Sequence, residues 1–253
     1  LGVVFAGEVV ETGAQVTKYK KGDRLFGWTS IMGLGGHAEF IALRENGAFT
    51  RMPDGMTWTD AAAIPFGFGT ARHFLSKANV SMGQRVLIYG ASGAVGSAAV
   101  QLAKQLGAEV TGVCSTRNVE LVRSLGAHEV LDYTKDALLS HRDSFDVVFE
   151  TVGKLPFKDS LTLVKPQGTI ITGSEMPAQM LKRVLGGKGG KQVTVIGGTA
   201  AESAADMQLI ADLWQRREIR PVIDSTFPLE RIRDAHTLAE SGKKVGSVVI
   251  TLP

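Results

Sequence analysis

Apolar and polar residues follow two different patterns along this chain, and the change comes near residue 60. Before it, short apolar runs are separated by turn residues, as in VVFAGEVVETG, in KKGDRLFG with a turn at Gly22-Asp23, and in GHAEFIAL. Runs of this kind predict β-strands. From about residue 60 the spacing is helical, with Asp60 as a candidate N-cap before AAAI and Pro65 as the candidate end of that helix.

From residue 85 onward, short apolar runs alternate with helical segments. The predicted strands are residues 85–89, 110–114, 129–131, 146–149, 169–172 and 193–196. The predicted helices between the earlier strands are residues 95–106 and 119–125. This alternation predicts a parallel sheet whose faces are covered by helices. After residue 200 the chain continues with a helix over AADMQLIADLWQRR, the segment FPLERIRDAHTLAE and a closing strand, GSVVIT.

The first strand of this series leads into a glycine-rich turn, in RVLIYGASGAVGSAAVQLAKQLG. The turn reads Ala91-x-Gly93-x-x-Gly96, close to the G-x-G-x-x-G pattern of dinucleotide-binding proteins. Gly93 would let the backbone approach a pyrophosphate, and Gly96 would let the helix pack closely on the strand. The predicted cofactor-binding residues of the turn are Ser92, Gly93, Ala94, Val95 and Gly96. The alternative is a glycine turn in an α/β sheet that binds no nucleotide.

The end of the second strand, in GVCSTRN, indicates which dinucleotide would bind. NAD sites carry a carboxylate there for the ribose hydroxyls, about twenty residues after the glycines. Here Ser115 holds that place, Arg117 follows, and Glu109 lies at the opposite end of the strand. A hydroxyl and a guanidinium suit a 2′-phosphate, because arginine offers planar, charged donors. The sequence therefore predicts NADP(H) as the cofactor.

Composition narrows the remaining choices. The net charge is +3, and the basic residues are scattered rather than clustered, which argues against a nucleic-acid partner. Cys114 is the single cysteine, so the chain has no intrachain disulfide and no cysteine-rich metal site. No apolar run approaches the length of a membrane span, and no signal peptide is visible.

Several motifs together resemble the medium-chain dehydrogenase/reductase superfamily. They are GDRLFG, AAAIPFGFGTA, the glycine-turn segment, SLGAHEVLDY and FDVVFETVG. The similarity is strongest to the zinc-free quinone oxidoreductase branch, which includes 2-alkenal and enoyl reductases. It implies an α/β protein with a doubly wound Rossmann sheet inserted in a β-rich, GroES-like catalytic domain. The implied domains are residues 1–72 for the truncated first part of the catalytic domain, 73–200 for the Rossmann domain and 201–253 for the return to the catalytic domain.

The resemblance also bears on zinc. Related zinc alcohol dehydrogenases carry a GHE motif where this chain has Gly2-Val3-Val4, and a cysteine-rich lobe after the GDR turn that is lacking here. A zinc site needs three or four converging ligands, and the five histidines are far apart in sequence without ligand spacing. His37 is interpreted as a strand histidine bonded to backbone, with a place in the substrate cleft as the alternative. We expect no metal site.

Without zinc, hydrogen-bond donors must stabilise the negative charge that hydride addition places on the acceptor oxygen. The resemblance implies that Thr70 is catalytic, beside the nicotinamide, and that Ser174 lies at the nicotinamide end of the cofactor site. It implies that Tyr133, in VLDY, contacts the adenosine phosphate. The expected activity is NADPH-dependent reduction of quinones or α,β-unsaturated carbonyl compounds. A carbonyl or alcohol dehydrogenase of the same superfamily and a non-catalytic NADP-binding structural or regulatory protein are the alternatives.

The resemblance finally suggests partners and location. Related proteins pair through an edge strand of the Rossmann sheet, here residues 192–197, so we expect a homodimer. The chain opens on a strand-like run without an initiator Met, which suggests that an N-terminal segment precedes residue 1. We expect a cytoplasmic protein, or one of an organelle matrix if that segment holds a transit peptide.

Overall fold

The two hydrophobic patterns correspond to two structural units. The structure, a computed structural model, describes residues 1–29, 34–173 and 191–252. The first unit combines Leu1–Thr70 with Ala201–Pro253, and the second is the continuous stretch Ala71–Ala200. The first unit is therefore built from two separate parts of the chain.

The first unit contains two small sheets. Strands β1 (Val4–Glu8), β2 (Arg24–Trp28) and β3 (Phe49–Arg51) form an antiparallel sheet in the order β1-β2-β3. Strands β10 (Ile223–Pro228) and β11 (Ser247–Thr251) form a parallel pair. The closing strand was predicted from GSVVIT, whereas β10 was not, because its residues alternate between half-buried and exposed and carry a polar run.

Helix α1 (Trp58–Lys77) differs from its predicted limits at both ends. The prediction that Asp60 caps the helix is wrong, because the backbone N–H of Asp60 donates to the Thr57 hydroxyl at 3.0 Å, which makes Thr57 the capping residue. The prediction that Pro65 ends the helix is also wrong, since Pro65 lies inside it. Ile64 and Phe68 on either side are buried, and this packing outweighs the local cost of a proline.

The segment GHAEFIAL is not a strand, contrary to the prediction. Its first residues bond instead to the start of the chain, where the N–H of Gly36 donates to the Gly2 carbonyl and that of His37 to the Leu1 carbonyl, both at 3.1 Å. Phe40 is 71% exposed, so the apolar residues of this segment do not form one buried face. The apolar pattern was therefore misleading here.

Two helices from the later part of the chain complete the first unit. Helix α5 (Ala204–Gln215) begins after Ser203, whose hydroxyl accepts the N–H of Asp206, and helix α6 (Ile232–Glu240) follows a 3₁₀ turn. Gln208 of α5 accepts a hydrogen bond from the Thr50 hydroxyl on β3. The fully buried side chains of this unit include Phe26, Met56, Ile64, Met207 and Ile210.

The described residues of the second unit form a six-stranded parallel sheet with its helices. Its strands are β4 (Arg85–Tyr89), β5 (Glu109–Cys114), β6 (Glu129–Asp132), β7 (Phe145–Glu150), β8 (Val164–Thr172) and β9 (Thr194–Ile196). They lie in the order β6-β5-β4-β7-β8-β9, and every neighbouring pair is parallel. In chain order this is 3-2-1-4-5-6, the arrangement of the Rossmann dinucleotide-binding fold. The predicted strands are confirmed, with ends that differ by a few residues.

Helices connect the strands of this sheet. They are α2 (Ala94–Gln105), α3 (Val119–Ser124) and α4 (Phe157–Leu163), with 3₁₀ turns at Thr116–Asn118 and Leu138–Ser140. The strands are apolar along their length because both faces are covered, as the buried central residues of β4 show. The core includes Leu87, Val113, Phe145, Val148, Leu163 and Ile170.

Strand β9 lies at one end of this sheet and, among the described strands, pairs only with β8. The prediction that residues 192–197 hold an edge strand is thus confirmed. Among the helices that the structure describes, none is long and apolar enough to cross a membrane.

Candidate functional site

The glycine turn lies where the strand order of the sheet reverses. Strand β4 is flanked by β5 on one side and β7 on the other, and the chain leaves its carboxyl end through Gly90. Gly90 has a φ of +84°, which side-chain-bearing residues rarely adopt. In open α/β sheets, the crevice at such a reversal is where ligands bind. The predicted binding residues of the turn therefore stand at the expected edge of the sheet.

Gly93 precedes α2 and faces open space. A Cβ built on it would meet only the Gly90 carbonyl oxygen, at 3.5 Å, an ordinary contact. Gly93 occupies the N-cap position, and no side chain caps the helix there. The first backbone N–H groups of α2 thus lie behind a surface without a side chain, an arrangement suited to an anion.

Gly96 has a different role. A Cβ there would lie 2.1 Å from the Gly90 carbonyl oxygen and 2.9 Å from the Ala91 Cα, both backbone atoms. Side chains cannot be accommodated at such distances without moving the backbone. Gly96 therefore allows the first turn of α2 to pack against Gly90 and Ala91, the residues that follow β4, whereas the sequence predicted close packing on the strand itself.

A buried asparagine joins the glycine turn to the end of β5. The side-chain amide nitrogen of Asn118 lies 3.0 Å from the Ser92 hydroxyl oxygen and 3.3 Å from that of Ser115. Asn118 is 7% exposed, while both serines are half-buried. The sequence pattern predicted both serines as binding residues but not Asn118, although Asn118 lies in the segment STRN together with Ser115.

Ser115 and Tyr133 follow the ends of adjacent strands. Cys114 of β5 pairs with Asp132 of β6, so the residue after each strand lies at the same edge of the sheet. Tyr133 is 54% exposed, and its ring centroid lies 6.5 Å from that of Tyr89. Arg117 is exposed on the 3₁₀ turn that begins one residue after Ser115. The structure thus brings Ser115, Arg117 and Tyr133 to one region.

Asp132, the last residue of β6, pairs with Cys114, and its oxygens are already engaged. It accepts hydrogen bonds from the Thr116 hydroxyl at 2.5 Å and from the backbone N–H and hydroxyl of Thr134 at 3.0 and 2.7 Å. The bond from Thr116, followed by those from Thr134, lowers the pKa of Asp132 to about 2. Asp132 is therefore ionised at neutral pH and anchors Thr116, beside Arg117.

The end of β7 forms the other side of the reversal point. The Thr151 hydroxyl donates to the Tyr89 carbonyl oxygen at 2.8 Å. Glu150 is 3% exposed, and its carboxylate accepts the backbone N–H groups of Val152 and Lys154 at 2.9 and 3.1 Å. These contacts fix the loop after β7 beside Gly90. The motif FDVVFETVG contains Glu150 and Thr151 but did not reveal these roles.

Thr70 and Ser174 are the two remaining predicted site residues. Thr70 is half-buried on α1 and is the last residue of the first part of the first unit. Ser174 lies outside the described residues. Cys114 is buried at the end of β5, and burial raises its pKa to about 11, so its thiol stays protonated at neutral pH.

The histidines are not all separate in space. His37 and His236 lie in the first unit with ring centroids 5.7 Å apart, although they are distant in sequence. His37 is in a loop, so its interpretation as a strand histidine is wrong. The buried His37 Nδ1 and His236 Nε2 have no hydrogen-bond partner among the described residues. Across residues 1–29, 34–173 and 191–252, no three His, Cys, Asp or Glu side chains are grouped so as to hold a metal ion.

Comparisons with known proteins identify relatives over almost the whole chain. A family model described as "Zinc-binding dehydrogenase" matches residues 125–250. A "Quinone oxidoreductase" of Lama guanicoe is 33% identical over 99% of this chain and 79% of its own length. An "NADPH-dependent alkenal/one oxidoreductase, chloroplastic" of Arabidopsis thaliana is 29% identical over 98% of this chain and 63% of its own length.

A solved structure shows the same fold. The quinone oxidoreductase from Coxiella burnetii is 26% identical in sequence and superposes with a TM-score of 0.86. The superposition covers 100% of this chain and 79% of the Coxiella chain. The chain thus spans about two thirds to four fifths of the length of these three proteins.

Proposed function

Since the chain belongs to the medium-chain dehydrogenase/reductase superfamily, in its quinone oxidoreductase branch, we propose that it is an NADPH-dependent, zinc-independent reductase of quinones or α,β-unsaturated carbonyl compounds. The observation that carries the proposal is the open surface at Gly93, in front of an uncapped helix at the reversal point of a Rossmann sheet. Open space in front of free helix N–H groups supports the proposal, because Rossmann proteins bind a pyrophosphate at such a helix N-terminus.

The chain's own residues fit a dinucleotide phosphate on this surface. In the proposed complex, the N–H groups at the start of α2 donate to the pyrophosphate, and the Ser92 hydroxyl lies in the same turn. The missing Cβ at Gly93 keeps this approach open, because any larger side chain would stand between the helix and the ligand. The partial positive charge of the helix N-terminus adds to the attraction.

The choice of NADPH over NADH rests on the end of β5. No carboxylate stands at that position, where Ser115 follows Cys114 and Arg117 lies on the next turn. On the neighbouring strand, the carboxylate of Asp132 accepts hydrogen bonds from the hydroxyls of Thr116 and Thr134, so it does not take the place of the ribose-binding acid. A hydroxyl and a guanidinium donate to a 2′-phosphate, and Tyr133 offers an exposed ring and hydroxyl beside them.

In the proposed reaction, the bound nicotinamide supplies a hydride to the acceptor. Thr70, as the proposed catalytic residue, would donate a hydrogen bond to the acceptor oxygen, where negative charge develops, and the family resemblance assigns Ser174 to the nicotinamide end of the cofactor site. Hydroxyl donors already in place lower the barrier without the cost of reorganising water. These two assignments rest on the family resemblance.

Steady-state NADPH oxidation with a quinone and with an enone tests the proposal, together with elemental analysis of the purified protein. We expect turnover of at least one acceptor, unchanged by a chelator, with no stoichiometric zinc. One zinc ion per chain that is lost together with activity would contradict zinc independence and favour an alcohol or carbonyl dehydrogenase. NADPH binding without turnover of any acceptor would favour a non-catalytic, NADP-binding protein.

A further inference from the structure

The hydrogen bonds of Asn118 assign a direction to two hydroxyl groups at the proposed cofactor site. One amide nitrogen donates to both Ser92 and Ser115, which belong to different loops. An amide nitrogen carries two hydrogens and accepts nothing, so each serine oxygen receives one of them on a lone pair. Each hydroxyl hydrogen must then point away from the amide.

We propose that Asn118 is a positioning residue that turns the Ser92 and Ser115 hydroxyls into donors toward the phosphates of the cofactor, and so contributes to the preference for NADPH. The inference rests on the proposed function, since it needs a dinucleotide at the end of β4 and β5. Asn118 itself is buried behind the serines and acts only through them.

The backbone around Asn118 is held by contacts of its own. The backbone N–H of Asn118 donates to the Ser115 carbonyl oxygen at 2.9 Å. Thr116, which lies between these two residues in sequence, donates its hydroxyl to the Asp132 carboxylate. The backbone of the segment is therefore fixed by contacts that do not involve the Asn118 side chain. What the side chain adds is the bridge to the Ser92 and Ser115 hydroxyls.

The two serines have different expected ligands. Ser92 is in the turn that would hold the pyrophosphate, which NADH and NADPH share. Ser115 is at the strand end that would hold the 2′-phosphate, which only NADPH carries. Loss of the amide donors should therefore weaken both cofactors, and NADPH more than NADH.

Asn118→Asp is the sharpest variant, because it keeps the size of the side chain and reverses its hydrogen-bonding capacity. A carboxylate at this position accepts the hydroxyl hydrogens of Ser92 and Ser115, which the amide directs outward. Neither hydroxyl can then donate to the cofactor phosphates. Asn118→Ala removes the amide without adding charge. Glu120→Gln, at an exposed position of α3 paired with Arg123, is the matched control in the same segment.

The experiment measures the dissociation constants of NADPH and NADH by fluorescence titration, with the melting temperature of the cofactor-free protein in parallel. We expect Asn118→Asp to weaken NADPH at least about tenfold, in line with the loss of charge-assisted bonds, and to lower the NADPH-to-NADH preference. Asn118→Ala should lower the preference less, and Glu120→Gln should leave it unchanged.

A double-mutant cycle with Ser115→Ala separates positioning from a merely structural role. If Asn118 acts through Ser115, then Asn118→Ala no longer alters the NADPH-to-NADH preference once Ser115 is alanine. An equal change of preference in both backgrounds overturns the inference, as does an unchanged preference in Asn118→Asp. Wild-type protein that binds neither cofactor would instead overturn the proposed function.

Discussion

Substitution of the two glycines of the turn should separate cofactor binding from folding. Gly93→Val places a branched side chain in open space, with only the Gly90 carbonyl oxygen at 3.5 Å from its Cβ. The backbone there, with φ of −78° and ψ of 176°, is accessible to valine. We therefore expect the free energy of unfolding without cofactor to change by less than about 1 kcal/mol.

The same side chain would obstruct the proposed pyrophosphate position. Losing two charge-assisted hydrogen bonds costs at least ~3 kcal/mol, which raises the dissociation constant for NADPH about 100-fold or more. Gly96→Val should behave in the opposite way. Its Cβ would lie 2.1 Å from a backbone oxygen, so the helix must shift, at a cost of roughly 1–3 kcal/mol or more in folding.

Thermal denaturation with and without NADPH measures both effects. At a cofactor concentration about 100 times the wild-type dissociation constant, binding should stabilise the wild type by ~2.7 kcal/mol. For a protein of this size that corresponds to a rise in Tm of roughly 5–10 °C. With Gly93→Val the rise should fall to about 1 °C, while Gly96→Val should lower the Tm of the cofactor-free protein. A full NADPH-induced rise in Gly93→Val would refute the pyrophosphate assignment and the dinucleotide site with it.

Three further predictions address selectivity, assembly and pH. Arg117→Ala should weaken NADPH more than about tenfold and leave NADH nearly unchanged, with Arg123→Ala as the control; equal losses for both cofactors would contradict the role given to Arg117. We expect a homodimer paired through β9, so light scattering at micromolar concentration should give twice the mass of one chain. Val195→Pro, in protein that still folds, should give a lower mass, and a monomeric wild type would exclude this pairing. Burial, followed by the charge of His236, lowers the pKa of His37 below its ordinary value of 6.5. As the pH drops below about 6.5, the unfolded chain binds a proton at this histidine before the folded chain does, so the free energy of unfolding should fall. His37→Phe should flatten that dependence in denaturant titrations and His141→Gln should not; parallel curves for wild type and His37→Phe would contradict it.

The sheet of the second unit was predictable because its strands are covered on both faces. Continuous apolar runs such as VLI in β4 have no other stable location, and the glycine pattern places the turn after the first of them. The predicted end of α2, at residue 106, lies one residue from the observed end at Gln105, and Gly107 follows with a φ of +78°. Local sequence and final environment agree at these positions.

Features that depend on distant residues were not predictable. Pro65 looked like a helix end, but the packing of Ile64 and Phe68 keeps the helix intact. The bridge from Asn118 to Ser92 joins residues 26 positions apart, and nothing in either local motif indicates it. The contact of His37 with His236 likewise arises only when the two parts of the first unit meet.

The divided first unit has a consequence for the order of folding. Thr50 bonds to Gln208 and Ser247 to the carbonyl of Ala63, across separations of 158 and 184 residues. A ribosome completes residues 71–200, the whole of the second unit, before it supplies residues 201–252. We therefore expect the Rossmann sheet to form during synthesis. Strands β1–β3 should complete their packing only after α5 has been synthesised. The first unit must close a loop of residues 71–200 before Thr50 and Gln208 can meet, and a stretch that has already folded has less conformational entropy to lose in that closure.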